Sequence, residues 1–170
     1  MVENVSFAQK VLSKQLKDIQ KNDDIAASIG LENDDDLFLW NVVFEGSSDS
    51  LYEGGFFKSQ LKFPSDYPNN PPEMKFVTKM WHPNIYPDGK VCISILHPPG
   101  TDQMNSQESA DERWRPVLGV EQILLSVVSM LNDPNIESPA NIDAAIEFRD
   151  SHEAYKKKVR KLTQQSTEFL

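Results

Sequence analysis

The sequence predicts an α+β fold: an N-terminal helix, then a small antiparallel sheet, then three further helices. Apolar residues recur at helical spacing near both ends of the chain. Strand-like segments rich in aromatic and β-branched residues occur only in the first half, with turn signals between them. Because strands joined by short turns pair with their sequence neighbours, this order is typical of a segregated α+β domain.

The first helix is predicted over residues 5–19, where apolar and basic positions fall on opposite faces. Its outer face carries a basic stripe formed by Lys10, Lys14 and Lys17. Strands follow at residues 37–44, near Phe57 to Phe63, and near Met74 to Phe76.

A wide apolar stripe between Val120 and Leu131 predicts a helix that lies across the sheet. Two more helices are predicted, over about residues 141–148 and 152–169. The length of 170 residues favours one domain, covering residues 1–170. A polar segment at about 98–112 is predicted to be a loop inserted in that domain.

Composition and charge restrict the function. The net charge of −9, from 17 basic and 26 acidic residues, disfavours nucleic-acid binding because such a surface repels phosphate. No apolar run approaches the roughly 20 residues that span a bilayer, and the polar residues 1–7 do not resemble a signal peptide. We therefore expect a cytoplasmic or nuclear protein. The single cysteine, Cys92, excludes an intramolecular disulfide and a multi-cysteine zinc site.

Cys92 is the candidate nucleophile. Asn84 and Cys92 flank the turn residues Pro87, Asp88 and Gly89, so a reversal there brings them close together. An asparagine side-chain amide can donate a hydrogen bond to a developing oxyanion, which assists acyl transfer from a cysteine. A buried cysteine with no chemistry, and a purely structural Asn84, are the alternatives.

Six segments in one order resemble the ubiquitin-conjugating E2 family: FPSDYPNNPP, HPNI, GKVCISIL, RWRPV, LLSVVSML and DPN. The resemblance covers nearly the whole chain. It implies the UBC fold: an N-terminal helix, a four-stranded antiparallel meander, a crossover helix and two C-terminal helices. It also implies an acyltransferase that accepts ubiquitin from an E1 as a thioester on Cys92. An E3 then assists transfer to lysines of a substrate or of ubiquitin. The resemblance implies no bound metal and no bound cofactor, since the E1 uses the ATP.

The resemblance assigns roles to residues around Cys92. Asn84 matches the residue that steadies the oxyanion or the nearby loop, and His82 matches a structural histidine. A free lysine has a pKa of about 10.4, so the site must lower that pKa or orient the amine. Tyr86 and Ser138 match the positions that family members use for this purpose.

The segment between Cys92 and Trp114 is longer than in short E2 domains and resembles the acidic loop of one E2 class, in its G-type branch. That class builds the ubiquitin chains that direct proteins to the proteasome, in some members at the cytosolic face of the endoplasmic reticulum. Four acidic residues define this loop: Asp102, Glu108, Asp111 and Glu112. We hypothesise that the loop overhangs Cys92 and orients an acceptor ubiquitin. A solvated loop with no catalytic part is the alternative.

The remaining resemblances concern partner surfaces. Positions that match E1-binding or RING-type E3-binding residues are Lys10, Lys14, Lys17, Pro68, Asn69, Arg115, Pro116 and Val117. Asn69 stands where several members have a large apolar residue, so a particular E3 preference does not carry over. Leu125 and Ser129 match donor-ubiquitin contacts, although helical spacing alone favours Leu125 as a core residue. Ser28 matches a contact on the opposite face of the sheet.

Three alternatives to a ubiquitin E2 remain at this point. An inactive E2 variant is disfavoured by the presence of Cys92. Conjugation of another ubiquitin-like modifier is less well excluded. A cysteine hydrolase would need a histidine base oriented by a third group, and the candidates are His82, His97 and His152.

Overall fold

A computed structural model describes residues 5–168. Helix α1 spans Phe7–Gln20 and is followed by strands β1 (Ala27–Leu31), β2 (Leu39–Glu45), β3 (Phe56–Lys62) and β4 (Glu73–Phe76). The strands form one antiparallel sheet in the order β1-β2-β3-β4. A short 3₁₀ helix at Ser94–Leu96 precedes helices α2 (Val120–Asn132), α3 (Ile142–Asp150) and α4 (His152–Ser166). The predicted α+β class and the meander are confirmed.

Local sequence sets the helix ends. Helix α1 begins at Phe7 rather than Val5, because Ser6 is its N-cap and forms a capping box with Gln9. Asn141 caps α3 by accepting a hydrogen bond from the backbone N–H of Ala144. Helix α4 ends at Ser166, whereas the predicted end at Phe169 lies outside the described residues.

One face of the sheet and the inner faces of the helices enclose the core. Strands β2 and β3 alternate buried and more exposed positions, as a sheet with one covered face requires. Ile123, Leu124 and Val127 of α2 are fully buried in the same apolar cluster as Trp40 and Phe44 of β2. Each such side chain contributes roughly 1.5–3 kcal/mol through its burial.

Trp114 fixes the start of the segment that leads into α2. Its ring is fully buried and lies 5.8 Å from the ring of Tyr67. Its indole N–H donates a 2.7 Å hydrogen bond to the carbonyl of Pro68. The proline-rich loop before β4 and the chain after the insertion are therefore held together. Within residues 5–168, no helix has the length and apolar character needed to cross a bilayer.

Candidate active site

A tight reversal brings Cys92 back to Asn84. The N–H of Gly89 donates to the carbonyl of Tyr86 at 2.8 Å, and Ile85 pairs with Val91 in an antiparallel bridge. The N–H of Cys92 then donates to the carbonyl of Asn84 at 2.9 Å. Gly89 has a φ of 100°, and a Cβ there would lie 2.2 Å from the carbonyl oxygen of Phe76, so the turn requires glycine. The predicted reversal is confirmed.

The side-chain amide of Asn84 makes two hydrogen bonds to the backbone of the loop after α2. Its Nδ2 donates to the carbonyl of Asn135 at 2.7 Å, and its Oδ1 accepts from the N–H of Asn135 at 2.9 Å. Asn84 is only 5% exposed. Of the two roles implied for this residue, the geometry favours anchoring the loop that carries Ser138.

His82 lies behind this turn as a neutral, fully buried side chain. Its Nε2 donates to the carbonyl of Met130 at 2.8 Å, and its Nδ1 accepts from the N–H of Asn84 at 2.9 Å. Burial lowers the pKa of His82 to about 4. Both ring nitrogens therefore hold backbone groups, which fits the structural role implied for His82.

A different histidine contacts the thiol. The Nε2 of His97 lies 3.7 Å from the Sγ of Cys92, and its Nδ1 lies 2.9 Å from both carboxylate oxygens of Glu108. The hydrogen bond to Cys92 raises the pKa of His97 to about 8, opposed by burial and assisted by Glu108. His97 is therefore mostly protonated at pH 7. Its sequence spacing gave no sign of this role, because the contact with Glu108 depends on how the insertion folds back.

Glu108 anchors the acidic insertion to the active site instead of facing the solvent. Its side chain is 8% exposed and lies 3.4 Å from the Nη1 of Arg113. It also accepts a 2.9 Å hydrogen bond from the hydroxyl of Ser94. Asp102 lies 3.9 Å from the same Arg113 nitrogen. Of the four acidic residues, Asp111 and Glu112 are exposed, whereas Asp102 and Glu108 are partly buried.

The base of the insertion is closed by two hydrogen bonds. The N–H of Trp114 donates to the carbonyl of His97 at 3.0 Å, and the Nε of Arg113 donates to the carbonyl of Pro98 at 2.8 Å. Residues 98–113 thus form a loop with adjacent ends whose interior is filled by the Glu108 and Arg113 side chains. Through Glu108 the loop contacts His97, and it lines the same cavity as Cys92, which agrees with the overhang hypothesis.

Cys92 and His97 border two cavities. One, of about 370 Å³, is lined by Asn84, Ser138 and several carboxylate side chains: Glu108, Glu112, Asp133 and Glu137. The other, of about 340 Å³, is lined by Tyr86, Lys90 and the proline-rich loop. Tyr86 is 42% exposed, and the nearby charge of Cys92 raises the pKa of its phenol. Tyr86 and Ser138 therefore line two different cavities, both of which border the nucleophile.

The predicted partner residues lie at the surface. Lys10, Lys14 and Lys17 are exposed along α1. Asn69, Arg115 and Pro116, which lie in loops, are exposed as well. Val117 is 85% exposed and Leu125 is 51% exposed, so the core position that spacing favoured for Leu125 is wrong. Ser129 and Ser28 are also exposed, and Pro68 is half-buried. Among residues 5–168, no group of three or more His, Cys, Asp or Glu side chains is placed to hold a metal ion.

Comparison with known proteins agrees with this geometry. The model of the family described as ubiquitin-conjugating enzyme matches residues 11–163, so the chain belongs to the ubiquitin-conjugating enzyme family. It is 55% identical over 165 residues to "Ubiquitin-conjugating enzyme E2 15" of Schizosaccharomyces pombe, covering 97% of this chain and 98% of that protein. It is 52% identical over 165 residues to "Ubiquitin-conjugating enzyme E2 7" of Arabidopsis thaliana, covering 97% and 99%. "Probable ubiquitin-conjugating enzyme E2 7" of Caenorhabditis elegans is 52% identical over 158 residues, covering 93% and 96%.

Membership of this family defines the general activity. The chain is an E2, a cysteine-thioester transferase, and Cys92 is its single cysteine. Ubiquitin, an E1 and an E3 are its partners in general terms. An E2 must form a thioester, hold it against water and present it to an amine. The residues around Cys92 therefore have to serve these three tasks.

Proposed function

We propose that this E2 builds ubiquitin chains of the type that directs proteins to the proteasome, working with a RING-type E3. One observation carries the proposal: the folded insertion against Cys92, anchored inward by Glu108, with Asp111 and Glu112 left exposed. A loop fixed beside the thioester can select which amine approaches. The chain type and the RING partner rest on the resemblance to the long acidic-loop class.

The acidic cavity suits a basic acceptor. Carboxylates of the insertion and of the loop after α2 line it beside Cys92. Carboxylates of this kind attract the cationic surface around an acceptor lysine and raise its local concentration. Ser138 on the wall of this cavity and Tyr86 in the neighbouring one orient the amine, since neither is a charged base at neutral pH.

The residues proposed for the partner surfaces do not line the acceptor cavity. The basic stripe of Lys10, Lys14 and Lys17 on α1 binds the E1, and charge attraction speeds that encounter. The E3 surface combines the proline-rich loop with exposed residues after Trp114: Pro68, Asn69, Arg115, Pro116 and Val117. Leu125 and Ser129, exposed on α2, contact the donor ubiquitin when it folds back.

The protein acts in the cytoplasm or nucleus under this proposal, or at the cytosolic face of the endoplasmic reticulum where a partner recruits it. It holds no metal or small cofactor, because the E1 consumes the ATP and the E2 needs only its thiol. It does not bind nucleic acid, since its net charge is −9.

The test changes the exposed carboxylates of Asp111 and Glu112 and leaves the inward-facing Glu108 unaltered. In the double variant Asp111→Asn, Glu112→Gln, Glu108 and its contacts are retained. The matched control, Asp34→Asn with Asp35→Asn, makes the same charge change at exposed positions of the β1–β2 turn. The E2 is loaded with lysine-free ubiquitin and then chased with either acceptor ubiquitin or free lysine.

The loop variant should slow transfer to acceptor ubiquitin about three- to tenfold at low salt, and less at high salt. Transfer to free lysine should slow less, because a small amine needs no docking surface. Linkage analysis of the chains by mass spectrometry reports the chain type. If the loop variant matches the control with acceptor ubiquitin, the acceptor-orienting role is wrong. Chains of mixed linkage would contradict the proposed degradation signal.

A further inference from the structure

The Nε2 of His97 lies 3.7 Å from the reacting Sγ of Cys92. The imidazole is fixed from its other side, because Nδ1 lies 2.9 Å from both oxygens of Glu108. Ser94 and Arg113 in turn hold Glu108 in place. The imidazole ring is therefore held next to the sulfur by Glu108, and Glu108 is itself held by Ser94 and Arg113.

The surroundings of His97 favour its cationic form. Glu108 is an almost buried carboxylate whose Oε1 lies 3.4 Å from the Nη1 of Arg113, a side chain that is 9% exposed. The Oδ2 of Asp102 lies 3.9 Å from the Nη1 of Arg113. The other charged or titratable groups around this cavity are Glu112, Asp133 and Glu137, and Tyr86 and Lys90 line the second cavity beside Cys92. The hydrogen bond to Cys92, and after it the contact with Glu108, raises the pKa of His97 against the opposing effect of burial.

The Cys92–His97–Glu108 order also resembles the catalytic constellation of a cysteine hydrolase. A hydrolase needs a neutral imidazole that takes a proton from water. With a pKa of about 8, His97 is mostly charged at pH 7 and is a poor base there. The geometry thus suits stabilisation of a negative sulfur better than activation of water.

We propose that His97 is a catalytic residue of this E2, whose imidazolium stabilises the negative charge on the Cys92 sulfur both when ubiquitin is accepted and when it leaves. Glu108 is a positioning residue that holds the ring and its charge. The acidic insertion therefore serves the nucleophile directly, in addition to any contact with an acceptor.

The two steps balance without a further reactant. In charging, the Cys92 thiolate attacks the E1–ubiquitin thioester, a new C–S bond forms, and the E1 thiolate leaves. In discharge, a neutral lysine amine attacks the Cys92 thioester and the C–N bond forms. The C–S bond breaks to give the Cys92 thiolate, and the amine's extra proton passes to solvent. His97 keeps its proton in both steps and pairs with the thiolate.

The test needs no ubiquitin, so its failure is distinct from a failure of the proposed function. Because Cys92 is the single cysteine, whole-protein alkylation by iodoacetamide reports on that sulfur alone. Rates are measured from pH 5 to 10 for the full-length chain, His97→Gln and Glu108→Gln. His152→Gln is the matched control, since His152 is exposed on α4.

In His97→Gln the midpoint of the rate–pH curve should move up by about one pH unit, as expected for loss of a cation within 4–6 Å. The rate at pH 7 should fall only about threefold, because a more basic thiolate is intrinsically more nucleophilic. Glu108→Gln should shift the midpoint in the same direction by less, and His152→Gln should match the unaltered protein. An unmoved midpoint in His97→Gln overturns the proposal, as does a larger shift in Glu108→Gln than in His97→Gln.

Discussion

Replacing Asn84 with alanine tests whether its amide anchors a loop or serves the oxyanion. The substitution removes both hydrogen bonds to the Asn135 backbone, of 2.7 and 2.9 Å. Each contributes about 0.5–1.5 kcal/mol net. The account therefore predicts a loss of about 2 kcal/mol in the free energy of unfolding, measured by urea denaturation.

Loss of order in the loop after α2 should also slow the transfer of ubiquitin from the Cys92 thioester in Asn84→Ala. If about 1.4 kcal/mol of loop order is lost from the reactive state, single-turnover transfer to free lysine slows about tenfold. Asn135→Ala weakens the same loop from the other side, because its Oδ1 accepts a hydrogen bond from the N–H of Glu137 at 3.0 Å. In a double-mutant cycle the two changes should be less than additive.

An oxyanion donor would give a different pattern. Loss of such a donor costs about 10²–10³ in rate with little effect on stability. If Asn84→Ala changes the free energy of unfolding by less than about 0.5 kcal/mol, slows discharge by that factor and adds fully to Asn135→Ala, the loop-anchor reasoning is refuted.

Two further predictions concern His82 and helix α1. The pKa of His82 is about 4 in the folded protein, below its usual 6.5, so the unfolded chain binds the extra proton and stability is lost as the pH falls from 6.5 to 4. This contribution, up to about 3 kcal/mol, should be missing from the pH dependence of unfolding in His82→Gln; an identical slope would contradict a neutral buried ring. Lys14→Glu with Lys17→Glu should slow charging by E1 about tenfold at low salt and less at high salt, whereas Lys157→Glu on α4 should not; equal effects would remove the α1 stripe from the E1 surface.

The spacing of apolar residues was sufficient to predict the strands and helices that have one buried face. Strands β2 and β3 alternate in burial, and α2 carries a wide apolar stripe, so their positions follow from the sequence. Strand β1 is different, because Ala27–Leu31 is a partly exposed edge strand with no alternating pattern. The fourth strand was therefore predicted only through the resemblance to the E2 family.

The nucleophile and the chain reversal that brings it to Asn84 could be predicted, because Cys92, the turn and Asn84 are close in sequence. His97 and Arg113 could not, since their roles depend on an insertion that folds back to place Glu108 beside both. Glu108 was grouped with three other acids by charge alone, but its buried contacts separate it from the exposed Asp111 and Glu112. Charge in a sequence does not indicate which carboxylate faces inward.

The central claim is tested most directly by incubating the protein with E1, ATP and ubiquitin and resolving the products on a non-reducing gel. The account predicts one ubiquitin adduct that thiols release, replaced in Cys92→Ser by an oxyester adduct that resists thiols. Absence of any adduct with the unaltered protein, or a thiol-sensitive adduct that survives the Cys92→Ser change, would contradict it.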